Sequence, residues 1–404
     1  MTMTPTSTGI GAPGTAPAPA SLQRSPMASQ PAAAAAIPFT RGSSLATMAD
    51  AKLSTVLTAG STNQVQLQTN AFLENLILDV SATTSGNSAT VAFAADAPFS
   101  VISQIKLDDP AGQSIIAPIT GWHLFTLNKY LPDTDCDFDP CRDPNYSVTT
   151  GSGGTGGSFS FRLVVPIEYR RRDALGALNN SAANQRYLLT ITLISSFSSL
   201  YSTAPTSLFS SISLNIYQQY WTSPPASITT STGSSPVQGT PAGLGTVAFV
   251  RYERHNEVSG GGQPQIQLNN VGDYITEIIW TLRNSSNVRD QTDWPTEFDF
   301  WINDFQVRAD SLNDWQRAMG RFFGYYGAAT ASPTAGSLDQ GVFVSFYWQG
   351  LFDASSNFGP ANQLLPTDAT TKLQVRGSTF GSGASYLEVL TRMIRPVSGS
   401  ALFA

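Results

Sequence analysis

The chain has 404 residues and a formal net charge of −6, with 22 Lys and Arg against 28 Asp and Glu. That balance argues against sequence-specific nucleic-acid binding, which depends on clustered Lys and Arg, while the length suffices for two or three domains. Only 12% of the residues are charged, against about 25% in ordinary soluble domains, and so neutral a surface points to one largely covered by neighbouring subunits. The amino terminus has no basic start followed by an apolar core, so no targeting peptide is expected. No apolar run is long enough to span a bilayer.

Residues 1–49 are dominated by Pro, Ala, Thr and Ser, with a short Ala run from Ala32 to Ala36. They read as a low-complexity arm that buries too little apolar area to order itself. Residues 50–223 form the first domain, with strands expected over 64–69, 72–80, 89–94, 100–107, 158–169, 186–195 and 212–221 from period-two alternation and β-branched or aromatic runs. One helix is expected near Ile119 to Tyr130. Residues 224–246, rich in Pro, Gly, Ser and Thr, read as a linker. The second domain, 247–404, carries expected strands over 247–254, 264–268, 273–283, 297–307, 341–352, 371–376 and 385–394. Leu312, Trp315, Met319, Phe322 and Phe323 stand at helical spacing, with Asp310 or Ser311 available as a cap.

The two domains repeat one another. Gln64-Val65-Gln66-Leu67, followed by Phe72 to Leu78, returns as Gln265-Ile266-Gln267-Leu268, followed by Tyr274 to Trp280, a displacement of about 200 residues. Further echoes keep their order: Ser103 to Leu107 with Asn303 to Val307, Ser158 to Tyr169 with Gly341 to Phe352, Arg186 to Thr192 with Thr371 to Arg376, and Ser213 to Tyr220 with Tyr386 to Met393. The displacement falls to about 170 by the last of these, so the second copy has shorter loops on a retained scaffold. About eight short strands per copy, with no βαβ rhythm, indicate an all-β chain. The expected fold is two tandem eight-stranded antiparallel jelly-roll sandwiches with short helical insertions.

No catalytic constellation is legible, so no catalytic, cofactor-binding or metal residue is assigned and the chain is not expected to be an enzyme. His123 lies in the apolar helix and reads as a structural residue; His255 reads as a rim or interface residue. Asp108-Asp109-Pro110 reads as a turn, not as a glycosidase carboxylate pair. Cys136 and Cys141 lie in an Asp-rich loop that is a solvated acidic segment, a local disulfide or an incidental cation site. Arg170-Arg171-Arg172 is the only dense basic run, and reads as a solvated loop, a subunit contact or a contact with an anionic membrane. Trp280, Trp301, Trp315, Phe343, Phe346, Tyr347 and Trp348 could form a glycan platform, but most fall on expected strands or the helix, where core packing explains them more simply.

Several of these segments carry a resemblance. Gly121-Trp122-His123-Leu124 with Asn128, Val165-Pro166-Ile167-Glu168-Tyr169 with Asp173-Ala174-Leu175-Gly176-Ala177, Gln185-Arg186 before a strand, and Ile216-Tyr217-Gln218-Gln219-Tyr220 resemble the double jelly-roll major capsid proteins of tectivirus-type, tailless bacteriophages with an internal membrane. The likeness is firm over about residues 60–223 and rests on duplication and length beyond them. The resemblance implies a homotrimer of pseudo-hexagonal outline that tiles an icosahedral capsid over the membrane. It also implies contacts with neighbouring capsomers, penton and minor capsid or membrane proteins, an amino-terminal arm reaching toward the membrane or between capsomers, and location in the virion after passage through the host cytoplasm. The long Pro/Ala-rich arm departs from that pattern. A different class remains open beside it: a virion spike or glycan-binding attachment protein built as a β-sandwich.

Overall fold

Strands pair in the same order in both halves of the chain, as seen in a computed structural model that describes residues 36–49, 55–87, 89–130, 139–184, 186–231, 233–241, 243–323, 340–347 and 364–397. All of these belong to the unit that begins at Ala36. The first half contributes β1 (Leu45–Ala49), β2 (Thr55–Thr58), β3 (Thr62–Gln66), β4 (Phe72–Ala82), β5 (Ile102–Asp108), β6 (Ser114–Ile119), β7 (Phe159–Pro166), β8 (Leu188–Leu193) and β9 (Ser211–Trp221). In one sheet β9 lies between β4 and the interrupted edge formed by β1 and β2, and β7 flanks β4. The facing sheet runs β6–β5–β8–β3.

A hairpin of β10 (Ser227–Thr230) and β11 (Gly233–Pro236) follows, and the pattern then repeats. The second half contributes β12 (Val247–His255), β13 (Ile266–Leu268), β14 (Tyr274–Asn284), β15 (Glu297–Ile302), β16 (Phe305–Ser311), β17 (Val342–Phe346), β18 (Leu373–Val375) and β19 (Ala384–Arg395). Their sheets run β12–β19–β14–β17 and β16–β15–β18–β13. Counting β1 and β2 as one, eight strands of each half form two four-stranded antiparallel layers among the described residues, with shorter strands such as Thr90–Phe93 and Tyr201–Thr203 in the first half and Leu365–Pro366 in the second beside them. That is a jelly roll, twice.

Helices sit at the same place in both. α1 (Gly121–Tyr130) joins β6 to β7, and α2 (Leu312–Phe323) lies between β16 and β17. Ser311 caps α2: its Oγ accepts from the Asp314 amide at 3.2 Å and donates to the Asp314 carboxylate at 2.7 Å. α1 begins at a glycine because a Cβ on Gly121 would stand 2.3 Å from the Phe99 carbonyl oxygen. Asn128 then fastens α1 to β7, donating to Val164 O at 2.7 Å and accepting from Val164 N at 2.8 Å.

Alternation along the strands fills the space between the layers. On β9, Ile212, Leu214 and Ile216 are buried while Ser213 is exposed. The first core is mixed aliphatic and aromatic. The second is built around Trp280, Trp294, Phe298, Phe300, Trp315 and Phe343, whose rings meet edge-on, tilted or stacked. Trp315 also donates through Nε1 to Val344 O at 2.8 Å, and Trp280 to Ser345 Oγ at 3.1 Å. Trp280, Trp315 and Phe343 are therefore core residues; Trp348 lies outside the described residues.

Three expectations change. The single strand expected over 297–307 is two, β15 and β16, because Asn303 and Asp304 take positive φ of 47° and 68° and turn the chain back. The echo of Ser103–Leu107 with Asn303–Val307 is consequently out of register: the partner of β5 is β15. Strand β6, with Pro118 near its end, lies between the expected strand and helix and was not anticipated. Finally, residues 36–49, grouped with the arm by composition, hold a helical turn (Phe39–Gly42) and β1. Phe39 is buried against Phe72 and Trp221, with centroids 5.2 and 6.1 Å away, so one aromatic side chain anchors this segment to the first jelly roll.

Candidate functional site

The most elaborate chemistry in the molecule lies where the jelly rolls meet. Trp122 and His123, on the first turn of α1, face Tyr252 of β12, Arg283 of β14 and Glu388 of β19. His123 Nδ1 meets Thr120 Oγ1 at 3.0 Å, and its Nε2 lies 3.3 Å from Glu388 Oε2. Glu388 also accepts from Tyr252 Oη at 3.0 Å and from Arg283 Nε. Arg283 reaches back to Asp96 Oδ2 at 2.7 Å, and Arg289 to Asp96 Oδ1 at 2.8 Å and Ala95 O at 2.8 Å. Both guanidinium groups lie over Trp122, 4.9 and 5.1 Å from its ring.

Charges so deeply buried persist because each opposes another. Burial alone would raise the Glu388 carboxyl, but His123 and Arg283 together pull it well below the usual carboxylate range. Burial likewise works against the charged Arg283, yet Asp96 and Glu388 hold it firmly protonated. The arrangement is an ionic latch between modules. It offers no exposed nucleophile or base to a substrate.

A second contact uses the other motif. Glu168, just past β7, accepts from Trp221 Nε1 at 3.0 Å, and its backbone oxygen accepts from Arg392 Nη2 of β19 at 3.3 Å. Arg392 lies 5.0 Å from the Tyr169 ring, while Tyr169 and Leu175 share an apolar cluster with Ala248, Leu364 and Ile394. Gly176, at φ +88°, makes this turn possible, since a Cβ there would stand 2.9 Å from Tyr169 N. Across β14 and β19, Glu277 pairs with Arg392 in register. Full burial pushes the Glu277 carboxyl up to about 7, and Arg392 only partly opposes this.

Strand β12 completes the junction. Val250 stands beside Ile116 of β6 in a parallel bridge, and Arg251 Nη1 donates to Ser114 O at 2.6 Å, so a sheet of the first module continues into one of the second.

Other sequence candidates lie apart from this junction. His255 is buried, not on a rim, between Glu253 (3.4 Å) and Glu257 (3.7 Å). Asp109 closes a turn by accepting from the Ala111 and Gln113 amides at 2.9 and 2.7 Å, while Asp108 accepts from Ser114 Oγ at 2.7 Å and meets Lys106 at 2.8 Å. Two arginines of the basic run have acidic partners: Arg170 pairs with Asp173 at 3.0 Å through Nε, and Arg171 meets Glu74 at 3.5 Å. Trp301 is half-buried beneath Arg376, which lies 3.9 Å from its ring. Cys141 is half-buried, and Cys136 with most of its Asp-rich loop lies outside the described residues.

Asp96, Arg283, Arg289, Glu388 and Arg392 were not singled out from sequence. A signal existed: Glu388 and Arg392 interrupt an apolar strand, and Arg283 ends another, in a chain with few charges. Ionisable residues at such positions need buried partners.

No protein-family profile matches the chain, nor does any curated protein. Solved structures do match. The STIV MCP aligns with a TM-score of 0.56 at 14% identity, covering 88% of this chain and 98% of that one. PBCV-1 VP54 gives 0.56 at 10% identity, covering 89% and 95%, and the Faustovirus major capsid protein 0.52 at 8% identity, covering 88% and 90%. At such identities the likeness establishes the fold, and it runs through both modules: this chain is a double jelly roll.

Proposed function

We propose that the protein is a major capsid protein whose homotrimers, each presenting six jelly rolls, tile an icosahedral shell. The observation that carries this reading is the latch at the module junction. Buried, mutually neutralised charges join two like modules into one stiff block, which suits a tile and serves no reaction. The similarity in fold to capsid proteins over nearly the whole chain supports the same role. In the tectivirus-type arrangement the arm would face an internal membrane, and neighbouring capsomers, pentons and minor proteins would supply the remaining contacts. Weak contacts repeated over a lattice suffice for such assembly.

Size-exclusion chromatography with light scattering tests the reading. The expected mass is that of three chains, with cryo-electron microscopy of assembled particles placing the trimer on the facets. A chain that stays monomeric under every salt and lipid condition overturns it.

A further inference from the structure

A pocket of about 620 Å³ lies where β12 meets the first module, and the exposed segments Pro110–Gln113 and Ser181–Asn184 frame it. Its apolar walls come from both modules: Ile115 and Leu178 from the first, Val247 and Phe249 from the second. That volume, and a position between two packed units, are those of a small-molecule site.

Charge gives the pocket a direction. Val247, Phe249 and Arg251 follow one another on a single face of β12, and Arg395 stands opposite Val247 on β19. Both guanidinium groups lie against the Phe249 ring, Arg251 at 4.5 Å and Arg395 at 4.7 Å from its centroid. Among the described residues a single carboxylate acts on both: Asp273 accepts from Arg395 Nε and Nη2, each at 2.9 Å. Arg251 makes no ion pair there, and its Nη1 donates instead to the Ser114 carbonyl at 2.6 Å. Burial, and then the like charge of Arg395, work against the protonated form of Arg251, and Asp273 opposes them only in part. A half-buried guanidinium so placed lacks a counter-ion. Asp109, which also lines the pocket, is occupied with its own turn, where its Oδ1 accepts from the Ala111 and Gln113 amides. An anion is therefore favoured at the β12 end.

We propose that this pocket binds a single-chain anionic amphiphile, its carboxylate or phosphate head beside Arg251 and Arg395 and its apolar chain along Ile115, Leu178, Val247 and Phe249. The head supplies the missing counter-ion, and the chain leaves water for the apolar walls. A neutral apolar guest would leave Arg251 as it is, and a free inorganic anion would leave the walls wet. The proposal stands on the pocket and is independent of the trimer.

Isothermal titration calorimetry of the full chain tests it, with laurate and dodecyl phosphate kept below their micelle-forming concentrations. At least one of the two should bind once per chain, and the tighter one identifies the head. Inorganic phosphate and uncharged dodecyl maltoside should each bind at least about tenfold more weakly, because each lacks half of the contact. Arg251→Gln should weaken the amphiphile by about tenfold, the value of one charge-assisted hydrogen bond. Arg395→Gln, at an exposed side chain, should act in the same direction and serves if the first variant fails to fold. Val247→Trp should fill the pocket and abolish binding, while Arg254→Gln, an exposed arginine over Tyr386, should leave the affinity unchanged. No binding of either amphiphile, equal binding of dodecyl maltoside, or wild-type affinity in both pocket arginine variants overturns the assignment. An equal loss in Arg254→Gln marks a general charge effect and overturns it too.

Discussion

Asn75 opposite Gln219 in the first jelly roll and Glu277 opposite Arg392 in the second occupy the same place in the same pair of central strands. The first pair consists of neutral amides and the second of ionisable groups. The reason is position: Arg392 extends from its strand to the Glu168 carbonyl and the Tyr169 ring of the other module. Duplication kept the strand order and changed the side chains that face the partner module. The same contrast recurs at the edges, where Ile115 of β6 is covered and Val307 of β16 bare.

The junction can be broken on its second-module side. Glu388→Ala removes the carboxylate that His123, Tyr252 and Arg283 share, leaving Arg283 with the Asp96 carboxylate and the Asn287 carbonyl; the expected loss is about 3–5 kcal/mol of unfolding free energy. Urea denaturation measures it. The matching site in the first module is Asn215, and its neighbour Leu214 gives a reference of a different kind: Leu214→Ala loses only aliphatic packing, so its cost does not change with ionic strength or pH.

Glu277→Gln sharpens the contrast of the central pairs. The native carboxyl titrates at about 7 and the unfolded one near 4.5, so the native state holds its proton to higher pH. Stability from this group is present below about pH 4.5 and is lost as pH rises through 7, by about 3 kcal/mol in all. The Gln variant should escape that loss and gain on wild type between pH 5 and 8. Equal pH profiles for the two proteins would refute the buried-acid account. Asn75→Asp, at the matching site, introduces a pH dependence where wild type has a neutral pair.

The smallest effect concerns the helical insertions. Ser311→Ala removes the cap of α2 and should cost about 1 kcal/mol. Asp314→Ala, which removes the reciprocal bond to the Ser311 hydroxyl, should cost no more than the cap itself. Thermal unfolding resolves both.

Much of the scaffold was legible because strands buried on one face alternate, and a duplicated pattern is read twice. β4 and β14, β7 and β17, β8 and β18, and β9 and β19 all match in sequence order and in pairing. The hairpins β5–β6 and β15–β16 were harder. Ser114 to Ile119 carries Pro118 and leads directly into a helix, while Asn303-Asp304 makes a two-residue turn without the glycine that usually announces one. The motifs around Trp122 and Glu168 were visible as a resemblance, but their common location at the junction was not. Their partners, Arg283, Glu388 and Arg392, lie more than 150 residues away in sequence.

Composition and periodicity by themselves determined that this is a duplicated, charge-poor β protein with a helix at the same point of each copy. Both are local properties, set by side-chain alternation and turn chemistry along the chain. Tertiary structure alone decided which matching edges are covered and which are bare, and which few charges are buried against one another. Those depend on how two modules of like fold meet, and a strand's own sequence does not encode what lies beyond its outer face.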